Sequence, residues 1–250
     1  LTHKTFFMKV LAILLNTIFY LLFGLTLVVM HVFQWLSYNL GGYHAHHRSV
    51  RIMNWTLVQL TRILGTTYKF SGRENLPKDQ PIIFVSNHQS MFDISPIEWY
   101  LSVHHPKFIS KIELGKGIPS VSYNLKKGGS ALIDRRNPKQ ALPEIKKLAE
   151  YIEKNNRSAV IFPEGTRSKD GKLKPFKDTG LKVLLKYSPS ALIVPITINN
   201  SWKLLKNGTF PLSLGTAFEL KVHQPISPKN KNFDELMDEI RSSIESSIIE

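Results

Sequence analysis

A histidine followed five positions later by an aspartate, Asn87-His88-Gln89-Ser90-Met91-Phe92-Asp93, can supply a general base. An imidazole hydrogen-bonded to a carboxylate is held in one tautomer, and the imidazolium formed when it takes a proton is stabilised. In one continuous helix these two positions would stand about 140° apart, so they meet only when His88 lies in a loop ahead of the helix. Alone, the spacing is weak evidence, because it often arises by chance. A second polar stretch, Pro163-Glu164-Gly165-Thr166-Arg167-Ser168, suits an anionic ligand. Gly165 permits close backbone approach, Thr166 can donate through its hydroxyl, and Arg167 can grip a phosphate with two parallel hydrogen bonds. Arg135, Arg136, Lys126, Lys127, Lys169, Lys172, Lys174 and Lys177 add positive charge around these loops. For any one of the lysines, an ordinary solvated surface position is the default. The chain has no cysteine, which excludes a thiol nucleophile, a thiolate-bound metal and a disulfide framework.

Both polar stretches follow short apolar runs that read as strands. After Gly72 such runs recur at Ile82 to Val85, Lys107 to Ser110, Ala131 to Asp134, Ala159 to Phe162, Leu192 to Ile198 and Phe218 to Val222. Helical periodicity falls between them at Ile94 to Leu101, Gln140 to Lys154 and Gly180 to Tyr187, and again from Phe233 to Ile248. Ser95 to Glu98, with Pro96 in the first turn, spells a capping box. Alternating strands and helices imply an α/β domain, a mainly parallel central sheet covered by helices, with its chemistry in the loops at the strand C-termini. The expected division is residues 1–66 as N-terminal membrane-anchoring helices and 67–250 as the α/β domain.

From Phe6 to Phe33, 22 of 28 residues are hydrophobic, and no Asp, Glu, Lys or Arg occurs between Val10 and His47. The most apolar part, Val10 to Met30, has 21 residues, roughly 31 Å as a helix and enough to match a bilayer core. That length fits a cleaved signal peptide poorly, and the all-round apolar surface fits a buried core helix poorly. Lys4 and Lys9 precede the run and Arg48 and Arg51 follow it, so flanking charge leaves open whether it spans or re-enters, with Gly24 as a candidate break. Arg48 to Leu64 is amphipathic, with Met53, Leu57, Leu60 and Leu64 on one side and Arg48, Arg51 and Arg62 together on another. It is expected at the membrane interface, its arginines toward lipid phosphates and Trp55 at headgroup level, the competing arrangement being a helix packed on the domain. His44, His46 and His47 have no neighbouring carboxylate and are expected as solvated interfacial histidines, with no metal. The net charge of +14 suits anionic lipid or phosphorylated substrates; nucleic acid is not expected, since no motif for it is present.

Together these elements resemble the glycerolipid acyltransferase family, specifically its bacterial 1-acyl-sn-glycerol-3-phosphate acyltransferases. Block I of that family, N-H-x-x-x-x-D, reads Asn87-His88 to Asp93, and block III, F-P-E-G-T-R-S, reads Phe162 to Ser168. Block II resembles Gly129 to Arg135, preceded by Lys111-Ile112-Glu113-Leu114, and block IV resembles Val194 to Ile198. The resemblance covers about residues 70 to 200. It implies acyl transfer from a thioester, acyl-coenzyme A or acyl carrier protein, to the 2-hydroxyl of a lysophospholipid, lysophosphatidic acid, with phosphatidic acid as product and no cofactor. It further implies His88 as base, Asp93 as its orienting group, and acceptor binding by Glu164, Gly165, Thr166 and Arg167, with Lys111 and Arg135 near the phosphate. The location implied is the membrane, at the cytoplasmic face of a bacterial inner membrane. The rival readings are a different acceptor, such as glycerol 3-phosphate or another lysophospholipid, and a non-catalytic protein that binds anionic lipid.

Overall fold

In the computed structural model, residues 3–249 are described, with side chains from Phe7 onward. Every position of β2 (Ile82–Ser86) is buried, because this strand lies inside a seven-stranded sheet between β5 (Ser158–Ile161) and β6 (Leu192–Asn199). The sheet continues outward from β5 through β3 (Pro106–Lys111) to β4 (Ala131–Ile133). On the other side it runs from β6 through β7 (Ala217–Val222) to β1 (Thr67–Ser71), giving the order β1-β7-β6-β2-β5-β3-β4. All neighbours are parallel except β6 and β7.

The two-residue period of the strands divides the core. Ile83, Val85, Ala159, Ile161 and Ile193 face one way, toward α4 (Pro138–Asn155), α5 (Thr179–Tyr187) and α6 (Phe233–Glu245). Ile82, Phe84, Val160, Val194 and Ile196 face the other way, toward Ile97 and Tyr100 of α2 (Ile94–Tyr100). Each fully buried Ile or Phe in these layers contributes about 1.5–3 kcal/mol. With both faces covered, polar groups collect in the loops at the strand ends, and β2, β3, β4, β5 and β6 all have their C-termini on the same edge.

Two elements are additional to those expected, the edge strand β1 and α3 (Val121–Lys127). The expected capping box at Ser95 and Glu98 is absent. The box closes instead at Ser90 and Asp93, one short 3-10 turn ahead of α2, while Glu98 is buried beside Lys107 and its carboxyl is pushed up to about 7 by that burial.

The apolar N-terminus forms α1 (His3–Leu60), broken by a kink at Gly42, where φ is 65°. The break therefore lies at Gly42 and not at Gly24, which remains helical. Its two arms are antiparallel: Gln34 meets Met53 at 3.2 Å, and Leu27 packs with Met53 and Leu57. Met53, Leu57 and Leu64 are thus buried against protein, so the second arm takes the packed arrangement and does not lay its apolar stripe on lipid. Arg48, Arg51, Arg62, Ile52 and Trp55 occupy its exposed side. His46 is buried and His47 half-buried, its ring tilted by 30° against that of His105 with centroids 4.0 Å apart; packing of the second arm on the domain thus removes these two from the solvated setting expected for them. The side chain of Lys4 lies outside the described ones.

The inward side of the first arm mixes buried apolar residues, Phe19 and Leu27, with buried polar ones, and its outward side is apolar. Asn16 is fully buried and bonds both ways with Leu212 of the domain, accepting from its N–H at 2.8 Å and donating to its carbonyl at 3.1 Å. Ser120 adds two ties, its hydroxyl to the Leu27 carbonyl at 2.6 Å and its N–H to His31 Nδ1 at 3.1 Å. Outward, Ile13, Leu14, Leu21, Leu25, Val28 and Val32 are exposed. By length and composition this helix is apolar enough to cross a membrane.

Candidate active site

Five parallel strands ending on one edge bring residues far apart in sequence into a row. His88 follows β2, Lys111 ends β3, Arg135 follows β4, Glu164 to Arg167 follow β5, and Ser201 follows β6. In sheet order the row reads Ser201, His88, the Glu164 to Arg167 loop, Lys111, Arg135.

His88 leaves the sheet because Asn87 takes over the ladder. The Asn87 amide donates to the Ile198 carbonyl at 2.8 Å and accepts from the Ile198 N–H at 2.7 Å, replacing with a side chain the pair that β2 would otherwise form. The backbone is then free to turn. Its next N–H, that of His88, donates to Glu164 Oε1 at 2.8 Å, and the His88 carbonyl accepts from Ser168 N at 2.7 Å. These bonds tie the two polar loops to each other.

The imidazole stacks on Phe162, with centroids 4.1 Å apart and planes inclined by 19°. Its Nδ1 meets Asp93 Oδ2 at 2.7 Å. Asp93 is fully buried, and its ionised form is held by several donors. Gln89 N and Ser90 N donate to Oδ2 at 2.8 and 3.0 Å, and the Ser201 hydroxyl donates to Oδ1. An acceptor-only carboxylate facing Nδ1 fixes the proton there, which leaves Nε2 as the basic nitrogen. Nε2 makes no protein hydrogen bond among the described residues, so it can accept a proton from a ligand.

Glu164 is buried with both oxygens engaged, Oε1 by His88 N and Oε2 by Lys174 N at 3.1 Å. Burial raises its carboxyl above the usual range, and those two amides pull it partly back. Its side chain therefore props the loop. Gly165 has φ 68°, a left-handed conformation that favours glycine, and its carbonyl accepts from Arg135. Thr166 and Arg167 are exposed. Arg135 is made less basic by partial burial and by the nearby Arg167 charge, so two guanidiniums share the mouth of this loop. Lys174 Nζ reaches the Arg167 carbonyl at 2.6 Å. Lys111 is exposed at its strand end, and its ammonium makes no hydrogen bond among the described residues. No group of three or more potential metal ligands occurs among the described residues.

The sequence profile of the Acyltransferase family matches residues 67–199, more than half of the chain, spanning β1 to β6 and every residue of the row but Ser201. The chain belongs to the acyltransferase family. A chloroplastic 1-acyl-sn-glycerol-3-phosphate acyltransferase of Brassica napus is 32% identical over 205 residues, covering 81% of this acyltransferase and 56% of that relative. The enzyme of the same name from Helicobacter pylori is 42% identical over 128 residues, 48% of this chain and 51% of that one. The chain thus spans about half the length of these curated relatives. A crystal structure of the 1-acyl-sn-glycerophosphate acyltransferase PlsC from Thermotoga maritima superposes with a TM-score of 0.80 at 26% identity, covering 96% of this acyltransferase and 95% of that chain. The mainly parallel sheet with a long apolar N-terminal helix is common to the two.

Two contributors to the edge of this acyltransferase were not read from the sequence, Ser201 and the clamping role of Asn87, while Lys174 was read only as part of the positive field and its bonds to Glu164 and to the Arg167 carbonyl emerge in three dimensions. Ser201 had a usable signal, since it is the second residue after a strand on the loop-bearing edge.

Proposed function

We propose that this acyltransferase transfers an acyl chain from a thioester, acyl-coenzyme A or acyl carrier protein, to the 2-hydroxyl of 1-acyl-sn-glycerol 3-phosphate, giving phosphatidic acid. The observation that carries the proposal is a buried, fully bonded Asp93 holding His88 so that Nε2 is free, on the same sheet edge as the paired Arg135 and Arg167. The names of the relatives support the same acceptor. In the reaction, His88 Nε2 takes the hydroxyl proton as the oxygen attacks the thioester carbonyl. The tetrahedral adduct collapses, the C–S bond breaks, and the thiolate takes the proton back from the imidazolium. No covalent enzyme intermediate is needed. Arg167 meets the acceptor phosphate, while Arg135, Lys111 and the Gly165–Thr166 backbone frame it. The outward apolar face of α1 rests in lipid, at the cytoplasmic face of a bacterial inner membrane, so that the acyl chain of the acceptor stays in the bilayer.

The test is purified protein in detergent, given each donor with lysophosphatidic acid, glycerol 3-phosphate and other lysolipids, with thiol release followed over time. Lysophosphatidic acid should be preferred, and His88→Ala should lower turnover about 10²–10⁴-fold. A folded His88→Ala protein with near-normal turnover would overturn the mechanism. Equal use of every acceptor would overturn the assignment of substrate.

A further inference from the structure

We infer that Ser201 is a positioning residue for the base: it fixes the Asp93 carboxylate from the side opposite His88. This rests on the reading of His88 and Asp93 given above and extends it to the loop after β6. Ser201 and Asp93 are both fully buried. Oδ2 of Asp93 is engaged by His88 Nδ1 and by the Gln89 and Ser90 amides, all from the same loop. Oδ1 has a different set of partners. It takes the hydroxyl of Ser201, 108 residues away, and a long contact of 3.5 Å from the Ser90 hydroxyl.

Rotation about the last side-chain bond of an aspartate is soft, since terminal sp³–sp² torsions have broad minima. The two oxygens turn together about that bond, so donors on Oδ2 alone resist the turn from one side only, and what turning remains tilts the lone pair that faces His88 Nδ1. A donor on Oδ1 removes that freedom. Ser201 suits the task because its own position is over-determined. Asn200 before it is left-handed, with φ 68°, and its amide donates to the Ala217 carbonyl at 2.8 Å. Trp202 after it lies against Gly171, where an added Cβ would come within 2.5 Å of the indole nitrogen. The hydroxyl is therefore presented by a rigid turn anchored to β7 and to the loop beyond Arg167. It also withdraws charge from the carboxylate, which tempers how strongly Asp93 stabilises the imidazolium.

Ser201→Ala and Ser201→Cys separate this role from mere packing. Alanine removes the donor; cysteine keeps the volume with a feeble one. Both should leave the half-saturating concentrations of acceptor and donor within about twofold, since Ser201 is fully buried behind Asp93, and lower kcat by roughly tenfold, about the worth of one buried hydrogen bond. The acid limb of the kcat/KM profile should move to higher pH, because a less neutralised Asp93 holds the imidazolium more firmly and more alkali is needed to free the base. Glu164, the other carboxylate bonded at His88, and Lys174 behind it are unchanged in both variants, so the movement reports Asp93. Should alanine fail to fold, as a melting curve would show, cysteine carries the same expectation. An unaltered kcat and acid limb in a folded variant would overturn the inference. So would a loss confined to KM. Wild-type and His88→Ala proteins run alongside keep the outcomes distinct: inactivity of wild type on every acceptor defeats the proposed reaction, whereas an active wild type, a dead His88→Ala and an unaffected Ser201→Ala defeat only the role of Ser201.

Discussion

Replacing Asn87 with alanine removes both halves of a clamp in one step. The side chain is 1% exposed and serves the N–H and the carbonyl of Ile198, so alanine strands two buried backbone groups at the last rung between β2 and β6. Each group left without a partner costs about 1–3 kcal/mol. Water entering the vacated space recovers part of this, which makes the expected loss about 2–4 kcal/mol. In a chain of this size 1 kcal/mol moves the melting midpoint by about 2–4 °C, so the drop should be roughly 4–16 °C. Turnover should fall as well, because His88 is the next residue. Aspartate gives the sharper test. It has the same shape, but its second oxygen can meet the Ile198 carbonyl only as a protonated hydroxyl, so folding raises that carboxyl above its unfolded value of about 3.9. The folded state then binds more protons than the unfolded one. Stability of Asn87→Asp relative to wild type is therefore retained below about pH 4 and lost as pH rises through the raised value. Melting midpoints of the two proteins in detergent, compared from about pH 5 to about pH 8, should diverge steadily. A gap independent of pH, or an Asn87→Ala protein melting within about 2 °C of wild type, would refute the clamp.

Arg167→Ala should raise the half-saturating concentration of lysophosphatidic acid roughly 10- to 100-fold, the value of a charged hydrogen bond, with little change for the acyl donor; equal effects on both substrates would move Arg167 away from the phosphate. Arg135→Ala should act on the same substrate and also loosen the loop, since its bond to the Gly165 carbonyl is lost. His223 is pushed down to about 4, chiefly by burial and then by Lys221, while it bonds to Thr197 at 2.8 Å. Because it is neutral when folded and titrates near 6.5 when unfolded, its contribution is present above about pH 6.5 and lost as pH falls toward about 4. His223→Gln should flatten that part of the melting profile, and an identical acid slope would count against the assignment. On the outward face of α1, Leu21 and Leu25 are 70% and 58% exposed. Glutamate at both should abolish co-flotation with phospholipid vesicles at an unchanged melting midpoint; retained flotation would show that lipid meets another surface.

The strands that build the core were legible because burial on both faces leaves near-continuous apolar runs, as in Ile82 to Val85 and Leu192 to Ile198. β1 was not, because an edge strand of five residues with only Tyr68 and Phe70 turned inward has too short a pattern to register. α3, with Leu125 as its one buried residue, has no apolar period to read, unlike the equally short α2 with Ile97 and Tyr100 turned inward. Motif residues on strand ends were legible as well, since a polar loop after a buried strand is visible in one dimension. Contacts made across the edge were not: the place of Ser201 after a strand marks it as an edge residue, but nothing in one dimension says that its hydroxyl reaches Asp93, 108 residues away. The misplaced capping box has a similar origin. Ser90 to Asp93 and Ser95 to Glu98 have the same spacing, and only the burial of Glu98 with Lys107 distinguishes them. Only Gly24 stood out as a break in the sequence; the packing of Leu27 on Met53 and Leu57 requires the turn to lie between those residues, which places it at Gly42.

The pairing of Asn16 with Leu212 also imposes an order of events during synthesis. A helix that enters lipid as it leaves the ribosome must satisfy its polar groups within itself or with neighbours already present. Asn16 cannot do so fully, since the backbone groups it bonds lie 196 residues further along the chain. Until the segment after β6 has formed, Asn16 lacks the two backbone groups of Leu212 that it bonds. On the proposed reading, in which the outward face of α1 rests in lipid, the last of these ties closes only with the domain complete, so lipid attachment follows folding of the domain.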